Sequence, residues 1–347
     1  MDIKVNDNMP KVKHESKNRI KVEFDRAPLK ERLKAKFLSG YFLTNVVWFL
    51  FRFIILLGVS FVIIYPFITK IAGSFMSADD FIDVTVRLIP KYPTLDTYKA
   101  ILTELGYMEA FMNTLILSLS CAILQMFVSC LVGYGLAKFK FKGNMIVFAA
   151  VILTMVVPHS TIQLSMFMKF RYFDIFGIFG FFGNLMGIQK PFLELTNSFT
   201  PLIVLSATGL AFKNGLYVFM MRQFFLGVPD ELEESAYIDG SGTFKTFMQI
   251  ILPLSVPMMI TVFLFAFAWQ WTDEFYTGVF FTNTKTLLMP NIVDIPESLV
   301  IEYAGQSLYY AAINNTCGLC IIAPLIIIYL FCQRYLVQGI ERSGITG

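Results

Sequence analysis

Long apolar runs recur along the chain, separated by short polar islands. The runs fall at roughly 47–69, 111–137, 144–168, 201–223, 252–280 and 308–332, and each is predicted to cross about 30 Å of hydrocarbon as a helix. They lack the strict alternation of barrel strands, so closed-barrel architecture is excluded. Pro158-His159 is predicted to break the third run. The polar islands organise the rest. Residues 1–45 form a basic tail, and residues 46–347 a membrane domain. A loop after the first run carries Asp79, Asp80, Asp83, Pro90 and Pro93. The second run ends at Lys138-Phe139-Lys140-Phe141-Lys142-Gly143. Residues 169–200, aromatic and glycine-rich with Lys190, Pro191 and Glu194, read as an excursion along the membrane surface. The expected fold is therefore an all-α polytopic membrane protein with six transmembrane helices.

Composition sharpens this reading. The chain is 56% hydrophobic and 15% charged, with 37 phenylalanines, too little polar surface to cover a soluble protein of its length. Its mean hydropathy is +0.64. A net charge of +3 offers no strong field for nucleic acid. Cys121, Cys130, Cys317, Cys320 and Cys332 all lie in apolar runs, which argues against a disulfide framework. Cys317 and Cys320 have metal-like spacing but no second ligand pair, so no metal site is expected. No cleavable signal peptide is expected, because the first apolar run begins near Val46. Lysines and arginines concentrate in the tail, the 138–143 turn and the C-terminus, whereas the 281–307 loop holds only Lys285. By the positive-inside rule both termini and the 138–143 turn face the cytoplasm.

The polar island at 229–253 is patterned. Pro229 suits a helix start, and Asp230, Glu231, Glu233 and Glu234 complement the dipole of the first turns. Leu232 and Ala236 share a face. Gly240 is placed to end the helix in a left-handed cap, and Ser241 or Thr243 to cap the next. Phe244, Phe247, Met248 and Ile251 then form one apolar stripe before Pro253 opens the fifth span. The expectation is a cytoplasmic helix–turn–helix along the membrane surface. The alternatives are a docking element for a partner or an ordinary amphipathic loop.

Glu234, Ala236, Gly240, Ile250, Leu252 and Pro253 match the EAA signature of ABC-importer permeases, with Ser235 in place of the middle alanine. Arg87-Leu88-Ile89-Pro90, Pro93-Thr94-Leu95, Tyr98 and Asn113-Thr114 resemble the approach to the second span in carbohydrate permeases. Met221-Arg222-Gln223-Phe224-Phe225, Val228-Pro229, Gln333–Gly339 and Gly347 resemble further parts of the maltose-type second permease. The resemblance covers roughly 47–347; it departs at Glu341-Arg342, in the 178–200 region and in the long basic tail. It implies a type I ABC importer permease fold in a bacterial plasma membrane, forming half of an oligosaccharide pathway. It also implies a heterodimer with a second permease, an ABC ATPase dimer, and an extracytoplasmic sugar-binding protein. ATP and Mg belong on the ATPase, with no cofactor on this chain. The coupling residues it implies are Glu234, Ser235, Ala236, Asp239, Gly240, Ile250, Leu252 and Pro253.

Gly240 to Thr246 superficially resembles a phosphate loop but lacks the glycine before Lys245. His159 reads as a polar residue at a helix break, and no catalytic constellation accompanies it. Trp269-Gln270-Trp271-Thr272-Asp273-Glu274 resembles the family's W-N-D/E element; Trp269, Trp271 and Asp273 are candidate pathway residues, against the alternative of an interfacial aromatic belt. Lys213, read as lying near the middle of the fourth span, is a further candidate pathway residue, expected to face the translocation cavity, against the alternative that it snorkels. Two other function classes remain open at this point: an ion-coupled secondary transporter, and a membrane receptor or scaffold.

Overall fold

The computed structural model describes residues 40–174, 177–187, 192–282, 286–303 and 305–344. The basic tail up to residue 39, Lys190, Pro191, Lys285 and Gly347 lie outside them. The chain divides at Pro66 into two units, 1–66 and 67–347. Helix α1, Gly40–Gly73, begins in the first.

In the second unit the helices are α2 (Asp96–Glu104), α3 (Tyr107–Lys138), α4 (Asn144–Val156), α5 (His159–Arg171), α6 (Ile178–Met186), α7 (Thr200–Ala207) and α8 (Asn214–Leu226). They continue with α9 (Glu231–Ile238), α10 (Thr243–Thr246), a π-helical turn at Phe247–Ile251, α11 (Leu252–Trp271), α12 (Phe275–Phe280) and α13 (Gln306–Gly344). Among the described residues the isolated bridge between Phe173 and Leu193 is the extended pairing present.

Among the described residues four segments are long and apolar enough to cross a membrane: Thr44–Gly73, Tyr107–Lys138, Thr243–Trp271 and Gln306–Gln338. The pair α4 and α5 is bent by 101° and makes a fifth if it crosses as one broken span. The break has a local cause. Pro158 forces Val157 out of the helical region, and both residues are extended, with ψ of 121° and 126°.

The fourth expected span, 201–223, is not one helix. Gly209, at φ +74°, ends α7 with Leu210 N–H bonded to Leu205 O and Gly209 N–H to Ser206 O. Lys213, at φ +63°, precedes α8 as its N-cap. The resulting helices have 8 and 13 residues, each short of the roughly 20 a span requires. The expected count of six spans is therefore not confirmed: among the described residues four helices, or five spans with the bent pair, are long and apolar enough. The fifth expected span also stops early, at Trp271, and resumes as the separate α12.

The main core joins α3, α8, α11 and α13 through Cys130, Tyr217, Met221, Met258, Phe267 and Ile321, among others. Gly133 sets the approach of α3 to α8. A Cβ there would stand 2.7 Å from Met221 Cβ and 2.9 Å from the Arg222 nitrogen. A second cluster joins Leu117 and Cys121 of α3 to Leu202 and Leu205 of α7 and to Tyr276 and Phe280 of α12. The five cysteines are free, and no metal-binding group of His, Cys, Asp or Glu occurs among the described residues.

Candidate functional site

The 229–253 segment folds as two helical pieces about Gly240. That glycine sits at φ +79°, a conformation in which a Cβ is unfavourable. Ser241 N–H donates to Ala236 O at 2.9 Å and Gly240 N–H to Tyr237 O at 3.0 Å, the paired bonds of a Schellman cap. The expected left-handed stop is therefore present. The expected side-chain cap on the next helix is not: Gly242 is its N-cap, and neither Ser241 nor Thr243 makes a capping bond.

The second piece is not a separate surface helix either. α10 passes through the π turn directly into α11, giving the continuous span Thr243–Trp271. Pro253 accounts for the widening, because its ring would clash with the carbonyl four residues earlier and it has no N–H to donate. Leu252 N–H bonds to Phe247 O, one residue further back than in an α-helix. The predicted stripe splits accordingly. Phe247 and Ile251 are buried, whereas Phe244 and Met248 are exposed.

Of the signature residues, Ala236 is buried and Glu234, Ser235, Asp239, Gly240 and Pro253 are exposed, while Ile250 and Leu252 are half-buried. Ser235 Oγ bonds to Leu232 O at 3.2 Å. The acid that anchors the segment is Glu233, which sequence reasoning treated only as a dipole partner. It is buried and accepts the Tyr134 hydroxyl at 2.6 Å. Lys138 Nζ lies 3.8 Å from Glu233 Oε2, 2.5 Å from Asp230 Oδ1 and 2.6 Å from Val228 O. Its hydrogen bond and charge hold the Asp230 carboxyl below the usual carboxylate range. Tyr134 also packs its ring against Phe225 and Phe247, with centroids 5.4 and 4.7 Å away. The end of α3 thus clamps the base of α9. Beyond this clamp, around the Gly240 turn, the segment presents apolar side chains that are largely uncovered: Ile238 is 86% and Phe244 76% exposed.

A second site lies where three chain breaks meet. A cavity of about 470 Å³ is lined by Pro158 and His159, by Gly209 to Lys213, and by Asp273, Phe275 and Tyr276. His159 Nδ1 and the Tyr276 hydroxyl are hydrogen-bonded to each other. Asp273 Oδ1 accepts from Tyr276 N–H at 3.1 Å and Oδ2 from Thr277 N–H at 2.8 Å, so the carboxylate caps α12. Lys213 rests its ammonium over Phe212 and Trp269, 4.7 and 4.9 Å from the ring centroids. It lies in the break between α7 and α8 rather than mid-helix.

Trp269 is half exposed beside this cavity, but Trp271 is not at it. Trp271 is fully buried and donates its indole N–H to Ile321 O at 2.9 Å, a core contact between α11 and α13. Sequence alone could not separate the two tryptophans, because α11 is apolar all round. A smaller adjoining cavity, about 20 Å³ and close to the size of one water, holds Gln125, Gln270 and Asp273. Gln125 Oε1 and Gln270 Nε2 have no protein partner there among the described residues.

Residues 125–342 match the family described as binding-protein-dependent transport system inner membrane component. The arabinooligosaccharides transport system permease protein AraQ of Halalkalibacterium halodurans is 26% identical over 83% of this chain and 93% of its own. The galactooligosaccharides transport system permease protein GanQ of Bacillus subtilis is 26% identical over 86% of this chain and 95% of its own. Among solved structures, a chain of a bacterial ABC transporter involved in the import of the acidic polysaccharide alginate superposes with a TM-score of 0.63. That match has 18% identity and covers 84% of this chain and 97% of the other. It shows a shared fold, that of a type I ABC importer permease. The ion-coupled alternative finds no support in these likenesses. The chain belongs to the inner membrane components of binding-protein-dependent transport systems, as a permease subunit of an ABC importer and not an enzyme.

Proposed function

We propose that this subunit forms half of the membrane pathway for an oligosaccharide and draws its energy from a separate ATPase through the 229–253 segment. The second permease, the ATPase pair and an extracytoplasmic binding protein complete the importer, with both termini of this chain on the cytoplasmic side. ATP and Mg act on the ATPase. The substrate class rests on the relatives, whose names specify oligosaccharides.

One observation carries the coupling assignment: the segment is clamped at its base and bare at its tip. Glu233, Lys138 and Tyr134 fix it to α3, while Ile238 and Phe244 project apolar surface that this chain leaves uncovered. A rigid element with an exposed apolar tip suits insertion into a groove of a partner. Closure of the ATPase pair then moves α9, and the clamp passes the motion to α3.

The test is the double substitution Ile238→Asp with Phe244→Asp. Both side chains are exposed, so the subunit folds and inserts normally. Co-purification of the ATPase and ATP-driven oligosaccharide uptake are both lost. Retention of both by the variant rejects the assignment.

A further inference from the structure

The cavity at the three breaks holds a cation without a counter-ion. We infer that it is a binding site for the carboxylate of an acidic saccharide, with Lys213 as the recognising group, an inference that rests on the importer reading above. The Lys213 ammonium makes no hydrogen bond or ion pair among the described residues, so its donors are open. Two aromatic faces hold it in place. A cation–π contact positions an ammonium but leaves its charge uncompensated, unlike a salt bridge. Asp273 lines the same cavity, but its oxygens accept from backbone N–H groups and form no ion pair with the Lys213 ammonium within 4 Å.

The backbone at Lys213 strengthens the case. A lysine at φ +63° is strained, and such strain persists where surrounding structure imposes it, commonly at ligand sites. An uncompensated ammonium within a membrane domain is also unfavourable unless an anion or water meets it. His159 and Tyr276 add polar atoms on the same wall, suited to sugar hydroxyls. The volume of about 470 Å³ lies within the range of small-molecule pockets. A neutral sugar would use the hydroxyl-binding groups but not the charge.

The experiment uses the assembled importer in nanodiscs without its binding protein, so that specificity of that protein does not intervene. Binding of a hexuronate oligosaccharide and of a neutral oligosaccharide of equal length is measured for wild type, Lys213→Met and Lys213→Arg. ATPase co-purification is scored in parallel. The hexuronate binds wild type more tightly than the neutral sugar. Lys213→Met weakens hexuronate binding about tenfold or more, the scale of a lost charge-assisted hydrogen bond, and leaves the neutral sugar unchanged. Lys213→Arg restores much of it. In wild type the hexuronate also protects Lys213 from amine acylation, a readout independent of any variant.

Equal binding of both sugars, hexuronate binding indifferent to Lys213→Met, or absence of protection overturns the inference. If the ATPase co-purifies in those cases, the importer reading stands. If no ATPase assembles with wild type, that reading itself fails. Protection by anionic lipid vesicles but not by hexuronate would assign the site to a headgroup and also overturn the inference.

Discussion

Replacing Gly240 tests the geometry of the coupling segment with little steric interference. Its φ is +79°, and a Cβ built there meets nothing within 4 Å. The penalty therefore comes from the backbone alone. A β-branched residue in the left-handed region costs about 1–2 kcal/mol. That lowers the ratio of the docking-competent turn to other conformers by about 5- to 30-fold. The two cap bonds, Ser241 to Ala236 and Gly240 to Tyr237, loosen with it. Gly240→Val is expected to insert like wild type and to melt no more than a few degrees lower, because the strain stays in an exposed turn and the residue touches no core side chain. Ligand-stimulated ATPase activity of the reconstituted importer falls, by at most the factor above. Gly240→Asn, which tolerates this φ better, recovers part of it. If the valine and asparagine variants lose activity equally, or if the valine variant keeps full activity, backbone conformation at Gly240 is not what the turn requires.

Three further outcomes follow from other contacts. Glu233→Ala leaves the Tyr134 hydroxyl and the enclosed Lys138 ammonium short of a partner and costs about 1–3 kcal/mol, read as a lower melting temperature of the solubilised subunit; Glu233→Gln, which keeps an acceptor for Tyr134, costs less. In the loop after α1, hydrogen bonds from Thr85 and Lys91 lower the Asp83 carboxyl from 3.8 to about 2. Its contribution to loop order is complete above about pH 4 and fades as pH falls toward 2, which carboxyl NMR titration reads directly. In a cysteine-free background, a cysteine at Ser241 labels from the cytoplasm and one at Ser298 from outside; labelling of both from one face contradicts the proposed orientation.

Much of this architecture was readable from local pattern. Apolar runs located the long helices, Pro158 announced the break between α4 and α5, and Gly240 announced the cap of α9. What escaped was non-local or conformational. The run at 201–223 is continuously apolar enough to read as a span, and hydropathy does not register the positive φ of Gly209 and Lys213 that divides it. Pro253 was read as the start of a span, yet it sits in a helix that the π turn allows to continue. The Lys138–Glu233 clamp joins residues far apart in the chain, so neighbouring sequence shows only a basic turn and an acidic turn. Trp269 and Trp271 differ in burial because of their neighbours in the α7–α8 break and on α13, not because of anything in their own segment.

The central claim is that the 229–253 segment is where an ATPase grips this subunit. A photo-crosslinking amino acid in place of Ile238, activated in membranes of cells that carry out uptake, tests it most directly. Mass spectrometry of the adducts is predicted to identify the ATPase subunit as the main partner. Adducts to lipid alone, in cells whose uptake is intact, would contradict the account.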